Sequence, residues 1–360
     1  MKITRRQFGA LAGLSAAGLV LPGLAQAKAE KGMNSFAAPA PGKNMHPLLA
    51  KRDQKAILAR IQGLMKRDGF GALVIVKPEN VLYSTGYLSR FAYGPGVPAG
   101  SQAVAVISAN GNAQLFINLM ESDDAPRMTD GVEVSAMPGF VFVDDGTPES
   151  RQERDATLDP LSGFKGALAA AQDMASNGKI GIEKGSLLGG LLAYLNSQVK
   201  EDKAVDSTNL LYEARLIKTP WEIDMLRMAA QHCERVQSRV AQQLEPGMNA
   251  MVLDNLIQSA AWAEDKEYSL SSMAYQIGIG PYWGVSGANR NYVIKKGDLM
   301  RIDGGGQHFG YISDITRTWA VGGSPTSKHG ARGHGARGQV YTARGVRSRY
   351  VALCVLISTL

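Results

Sequence analysis

Cysteine is almost missing: the 360 residues include two, Cys233 and Cys354, which can pair at most once and stand in neither a CxxC nor a metal-ligand spacing. A disulfide framework is excluded. Acid is missing from both ends. Residues 1–27 hold Lys2, Arg5 and Arg6 without an Asp or Glu, and residues 315–360 hold Arg317, Lys328, Arg332, Arg337, Arg344, Arg347 and Arg349, again without one. The formal charge of +7 therefore belongs to the ends, because residues 28–314 set the remaining 29 basic residues against all 32 acids, a net of −3. Such a body is not a polyanion-binding surface, and no nucleic-acid partner is expected. What is present, 45% apolar and 20% charged residues, is the composition of soluble folded protein. The length exceeds the usual range of about 100–200 residues per domain, so two domains with their own cores are expected.

The chain opens with Thr4-Arg5-Arg6-Gln7-Phe8 before a small, weakly apolar run from Gly9 to Leu24, and Ala25-Gln26-Ala27 offers the small residues of a cleavage site. This reads as a twin-arginine signal peptide over residues 1–27, with the Tat export machinery as partner and a periplasmic or exported product cut near Ala27. The competing reading is an N-terminal membrane anchor, against which Gly13, Gly18 and Pro22 interrupt the run. Residues 28–47, rich in Ala, Pro, Gly and Lys, read as a linker.

From 48 to 207 the signals alternate in α/β fashion. Ile57, Ile61, Leu64 and Met65 mark a helix ending at Gly69, and Ala72–Val76 reads as a strand. Ala103–Ile107 and Gln114–Asn118 flank Asn110-Gly111-Asn112 as hairpin strands would, and Ile180–Ile182 precedes a helical stretch near Leu187–Leu195. No catalytic constellation stands out in this lobe.

Thr219 stands before Pro220 and three residues before Glu222, a capping box with proline at the first helical position. The helix it starts spaces Ile223, Leu226, Ala230, Cys233, Val236, Val240 and Leu244 by threes and fours, which predicts a buried stripe with Cys233 as a small core residue and His232 on the surface beside it. Pro246-Gly247 ends it, and Asn249 is placed to cap a following helix that runs to about Ala263.

The chemistry concentrates in the run Gly297 to Thr318. Leu299–Asp303 and Tyr311–Ala320 alternate as strands, and a turn near His308-Phe309 would set Asp303 and Asp314 opposite one another on one side of a sheet. Two carboxylates so close repel unless protonated or neutralised, and oxygen donors suit divalent ions such as Mn²⁺, Mg²⁺ or Co²⁺. A pair of ions held there would lower the pKa of a shared water toward neutrality. Taken from spacing alone, a polar hairpin with solvated Asp residues explains the same pattern.

GDLMRIDGGGQHFGYISDITRTWAVG resembles the metal-binding signature of the pita-bread metallopeptidases, the family of aminopeptidase P, prolidase and the creatinases. EARLIKTPWEIDMLRMAAQHCERV and LEPGMNAMVLDNLI are similar to that family's entry helix and the turn and helix after it, and GFGALVIVKPENVLYSTGYLSRF is similar to the creatinase-type N-terminal domain. The resemblance covers roughly residues 48–323. It implies an α/β creatinase-like N-terminal domain at 48–207 and an α+β pita-bread catalytic domain, incomplete here, at 208–323. It also implies two divalent metal ions (Mn, Co, Fe or Zn), a small peptide or small C–N substrate, and a homodimer. Of the five metal ligands implied, the first two match Asp303 and Asp314. The remaining His and two Glu come later in the family, and this sequence does not contain them, so weak or absent metal binding and an inactive chain are expected.

Past Gly323 the text changes to a stretch rich in Arg, Gly and His. Residues 324–360 read as an aberrant basic tail that is out of frame from near Pro325, with a natural basic arm or a C-terminal membrane or partner segment as the other readings. Gly333-His334-Gly335 copies the family's histidine context but arrives too early, and His334 is not assigned as a ligand. Peptidase members carry a histidine shortly before the GDL segment. Gly284 to Asn291 here have none, which leaves room for a non-peptidase C–N hydrolase or lyase of the same family, or for a non-catalytic binding module that keeps only the fold.

Overall fold

The computed structural model of the chain describes residues 36–37, 45–89, 103–111, 113–137, 147–148, 161–176, 178–265, 268–277, 291–322 and 341–342. Residues 1–27, read as a signal peptide, residues 284–290 and His334 lie outside these. Two compact units divide the chain, Met1–His46 with Ile57–Leu211, and Pro47–Ala56 with Tyr212–Leu360.

In the first unit, β1 (Phe36–Ala37), β2 (Phe70–Ile75), β3 (Val104–Ser108), β4 (Ala113–Asn118), β5 (Glu133–Met137), β6 (Lys179–Ile182) and β7 (Ala204–Asp206) form one mixed sheet in the order β1-β5-β4-β3-β2-β6-β7. The strands β3 and β4 pair antiparallel from Val104↔Phe116 to Ile107↔Ala113 across a turn at Gly111, as the alternation predicts. The helices are α1 (Gln54–Asp68), α2 (Pro78–Thr85), α3 (Ala125–Met128), α4 (Ser162–Ala175) and α5 (Gly189–Gln198), with α6 (Thr208–Leu216) at the boundary. Ile57, Ile61 and Met65 of α1 are fully buried, whereas Leu64 is only half-buried. Phe164, Leu168 and Ala171 of α4 pack with Val74, Val106, Phe116 and Ile182 of the sheet. Phe36–Ala37, inside the stretch read as a linker, is a strand that pairs antiparallel with Ala136 and Ser135. Alternation over two residues is too short to be seen in a sequence, which is why the linker reading missed it.

In the second unit, α7 (Pro220–Gln243) begins on the capping box: the Thr219 hydroxyl accepts from the Glu222 N–H, and the Glu222 carboxylate accepts from the Thr219 N–H at 2.8 Å. The next helix, α8 (Val252–Trp262), lies against α7, and Asn249 turns the chain into it by accepting the Met251 N–H at 2.9 Å. The sheet beside them consists of β8 (Tyr268–Ile277), β9 (Leu299–His308), β10 (Tyr311–Ile312), β11 (Ile315–Ala320) and β12 (Tyr341–Thr342). β9 pairs antiparallel with β8, β10 and β11. Val236, Val240, Leu253, Ile257, Met300, Ile302 and Trp319 close the core between helices and sheet.

The predicted stripe on α7 needs correcting in its first two turns. Ile223 is 44% exposed and Leu226 and Ala230 are half-buried, while Trp221, Met225 and Ala229 are buried instead. Partners distant in sequence rotate that end of the helix: the Trp221 indole donates to the Leu48 carbonyl at 2.7 Å, and Tyr311 packs edge-on against the same ring. The tail is also not wholly apart from the sheet, since Tyr341–Thr342 pairs in parallel with Trp319–Ala320 and covers that stretch of the β11 edge.

Candidate metal centre

β9 alternates. Met300 and Ile302 enter the core under α7 and α8, so Asp303 projects from the opposite face of the sheet. Phe309 and Gly310 both have positive φ, 48° and 78°, which makes a two-residue turn of the kind that suits the twist of a hairpin, and His308 pairs directly with Tyr311. The turn thus lies one residue later than the sequence suggests, because a Phe with positive φ is not announced by its residue type. The consequence is a corrected register. Asp303 stands opposite Thr316, whose hydroxyl donates to the Asp303 carboxylate, and not opposite Asp314. Asp314 falls between β10 and β11, across from the Gly305 position, which makes it a diagonal neighbour of Asp303 on the same face.

The two carboxylates still sense one another. Burial and then the Asp303 charge hold the Asp314 carboxyl above the usual carboxylate range. Both residues are half-buried, and among the described residues no basic side chain pairs with either. Two uncompensated oxygen donors on one face fit a hard divalent ion as part of a ligand set. They do not complete one: no group of three or more His, Cys, Asp or Glu is gathered for a metal among the described residues.

Elsewhere in the second unit, on the helix side of the sheet, lie groups that the sequence reading misses. Ser313 is buried, and its hydroxyl lies 3.1 Å from both the Ala229 carbonyl of α7 and the Gly306 carbonyl of β9. His232, expected on the surface, is 6% exposed; its Nδ1 lies 2.6 Å from the Glu264 carboxylate and 2.7 Å from the Arg235 guanidinium, and its ring stacks on His308 with centroids 5.3 Å apart. Arg235 donates to Glu264 at 2.9 Å, and Arg239 also contacts that carboxylate. Burial raises the Glu264 pKa, but the hydrogen bonds from Arg235 and His232 outweigh it and hold the carboxyl below its usual value. The signal was present as basic residues at positions 232, 235 and 239, one face of a helix, with an acid just past the next helix. Cys233 is fully buried as expected, donating to the Gly304 carbonyl at 3.4 Å, and burial pushes its thiol up to about 11. It is no nucleophile.

An α/β lobe, followed by a largely antiparallel sheet that carries two acids on one face and two helices on the other, defines the class: a creatinase-type N-terminal domain joined to a pita-bread domain. Residues 57–217 match the Creatinase/Prolidase N-terminal domain and residues 224–336 match metallopeptidase family M24, so the chain belongs to that family. The second match continues past Gly323, where the motif-by-motif resemblance ends. Uncharacterized peptidase YqhT of Bacillus subtilis (strain 168) is 25% identical over 268 residues, 74% of this chain and 65% of that protein. Xaa-Pro aminopeptidase of Escherichia coli (strain K12) is 31% identical over 127 residues, 34% of this chain and 27% of that protein. The chain thus spans less than two thirds of the length of these relatives. The fold is shared with Xaa-Pro dipeptidase from Bacillus anthracis, at a TM-score of 0.57 and 19% identity over 78% of this chain and 68% of the other. It is shared also with aminopeptidase P from E. coli, solved with the inhibitor Pro-Leu, at a TM-score of 0.52 and 19% identity over 76% and 64%.

Proposed function

We propose that the protein to which this chain belongs is a metal-dependent hydrolase of the Xaa-Pro peptidase and creatinase type, with Asp303 and Asp314 as two of its metal ligands. The observation that carries this is the placement of both carboxylates on one sheet face, with burial and then the Asp303 charge raising the Asp314 pKa, inside the stretch matched to the M24 family. When bound, a divalent ion would supply Lewis acidity toward a carbonyl and activate water. The residues here do simpler work. Thr316 orients Asp303 by donating to it, and Gly305 of β9 leaves room for the Ser313 backbone that precedes Asp314. Peptides and other C–N compounds are the substrate class, in keeping with relatives named as peptidases.

The 360-residue chain supplies two of the five ligands that the family resemblance implies, so it binds divalent ions weakly and is inactive. It reaches the periplasm folded, by the twin-arginine route, with cleavage after Ala27, and a mature N-terminus elsewhere would refute that. Manganese titration followed by electron paramagnetic resonance tests the centre. Weak binding lost in Asp303→Ala and in Asp314→Ala is expected, and binding that survives both substitutions overturns the assignment. Hydrolysis of any Xaa-Pro peptide by the soluble 360-residue chain would overturn the inactivity.

A further inference from the structure

The backbone between β10 and β11 breaks at Ser313 and Asp314, yet the register is the same on both sides, His308↔Tyr311 before and Gly304↔Ile315 after. Nothing is inserted; the strand is pulled out of line. Ser313 is where it is held. Its N–H donates to the Gly306 carbonyl at 2.9 Å, its hydroxyl accepts from the Gly306 N–H at 3.4 Å, and the hydroxyl proton has the Ala229 and Gly306 carbonyls within reach at 3.1 Å each. The displaced backbone needs space. A Cβ on Gly305 would lie 1.5 Å from the Ser313 carbonyl oxygen and 2.5 Å from its carbon, so the break can exist only against a glycine. Asp314 is the next residue, and among the described residues it has no strand partner of its own.

We propose that Ser313 is a positioning residue: by tying the strand break to Ala229 of α7 and Gly306 of β9, it sets the Asp314 carboxylate beside Asp303, and divalent-ion binding by the pair depends on its hydroxyl. The proposal rests on the reading of Asp303 and Asp314 as metal ligands. The hydroxyl is buried on the helix side and the carboxylates stand on the open side, so Ser313 acts through the backbone it holds rather than by touching an ion.

The test is Mn²⁺ affinity of the 360-residue chain by paramagnetic resonance, with tryptophan emission to confirm that the second unit is folded. A threefold to tenfold loss of affinity, about 0.7–1.4 kcal/mol, is the size expected for one positioning hydrogen bond. Ser313→Ala is expected to show that loss with the emission spectrum kept, and Ser313→Thr, which retains the hydroxyl, to stay within about twofold of the parent. If Ser313→Ala does not fold, Ser313→Cys fills the same space with a weaker donor and carries the same expectation. Unchanged Mn²⁺ affinity in the folded hydroxyl-less variant overturns the positioning role while leaving the ligand assignment standing. Parent binding that is indifferent to Asp303→Ala and Asp314→Ala sinks both together.

Discussion

Replacing Glu264 by alanine removes the hub of a charged cluster. The carboxylate side chain is 3% exposed, lies 2.6 Å from His232 Nδ1 and accepts from Arg235 at 2.9 Å, with Arg239 as a third partner. The partners do not lose equally. Arg235 and Arg239 are 47% and 39% exposed and can turn to water, so each of their contacts is worth only about 0.5 kcal/mol. His232, at 8% exposure, cannot; it keeps the Arg235 guanidinium 2.7 Å from its Nδ1 but loses a contact to a charged acceptor, which costs about 1–3 kcal/mol. The expected loss is about 2–4 kcal/mol at pH 7. All four tryptophans, Trp221, Trp262, Trp283 and Trp319, fall within Tyr212–Leu360, so urea unfolding followed by tryptophan emission reports the second unit alone. The sign with pH follows from the depressed carboxyl. The stability it contributes is complete above its ordinary value of 4.5 and is lost as pH falls through the still lower folded value, so the gap between parent and variant narrows in acid. A difference under about 0.5 kcal/mol at pH 7, or a gap that does not shrink below pH 4.5, would refute the argument.

Gly305→Ala is expected to cost about 3 kcal/mol or prevent folding of the second unit, because its Cβ meets backbone atoms that cannot move aside singly; an unfolding midpoint equal to the parent's would contradict this. With its thiol near 11 and fully buried, Cys233 should stay unalkylated at pH 8 until denaturant is added, as read by peptide mass mapping, and native-state labelling at the rate of a free thiol would show the site to be open. Translating the other two frames of the gene beyond codon 324 should reveal a Gly-His-Gly segment followed by two separated Glu residues, and non-coding sequence there would make the basic tail a feature of the protein.

Local rules carried the reading where a residue's partners lie close in sequence. Ile57, Ile61 and Met65, the Asn110–Gly111 turn, and the Thr219–Glu222 capping box all form bonds or faces within a few positions, and each stands where periodicity or spacing puts it. The misses share one cause. Ile223 faces out because Trp221 is tied to Leu48, 173 positions away. His232 turns inward for Glu264 across a helix and a loop, and Asp314 is shifted by a Phe309 backbone that no propensity forecasts. The two carboxylates could be named from the motif, but what holds one of them in place lies in Ala229, Gly305 and Gly306, whose chemistry is all backbone.

The segment Pro47–Ala56 belongs to the second unit although Ile57–Leu211 of the first follows it in the chain. In topological terms the two units are interleaved, each built from two stretches of chain. Leu48 accepts the Trp221 indole, and the Arg52 guanidinium lies 5.8 Å over the same ring. During synthesis these two residues leave the ribosome long before their partner exists, so the second unit cannot close until the whole of the first has been made. Cutting the gene between the two matched domains would therefore strand a buried indole N–H and remove a cation from its ring. The separate halves are a poor guide to the stability of the joined chain.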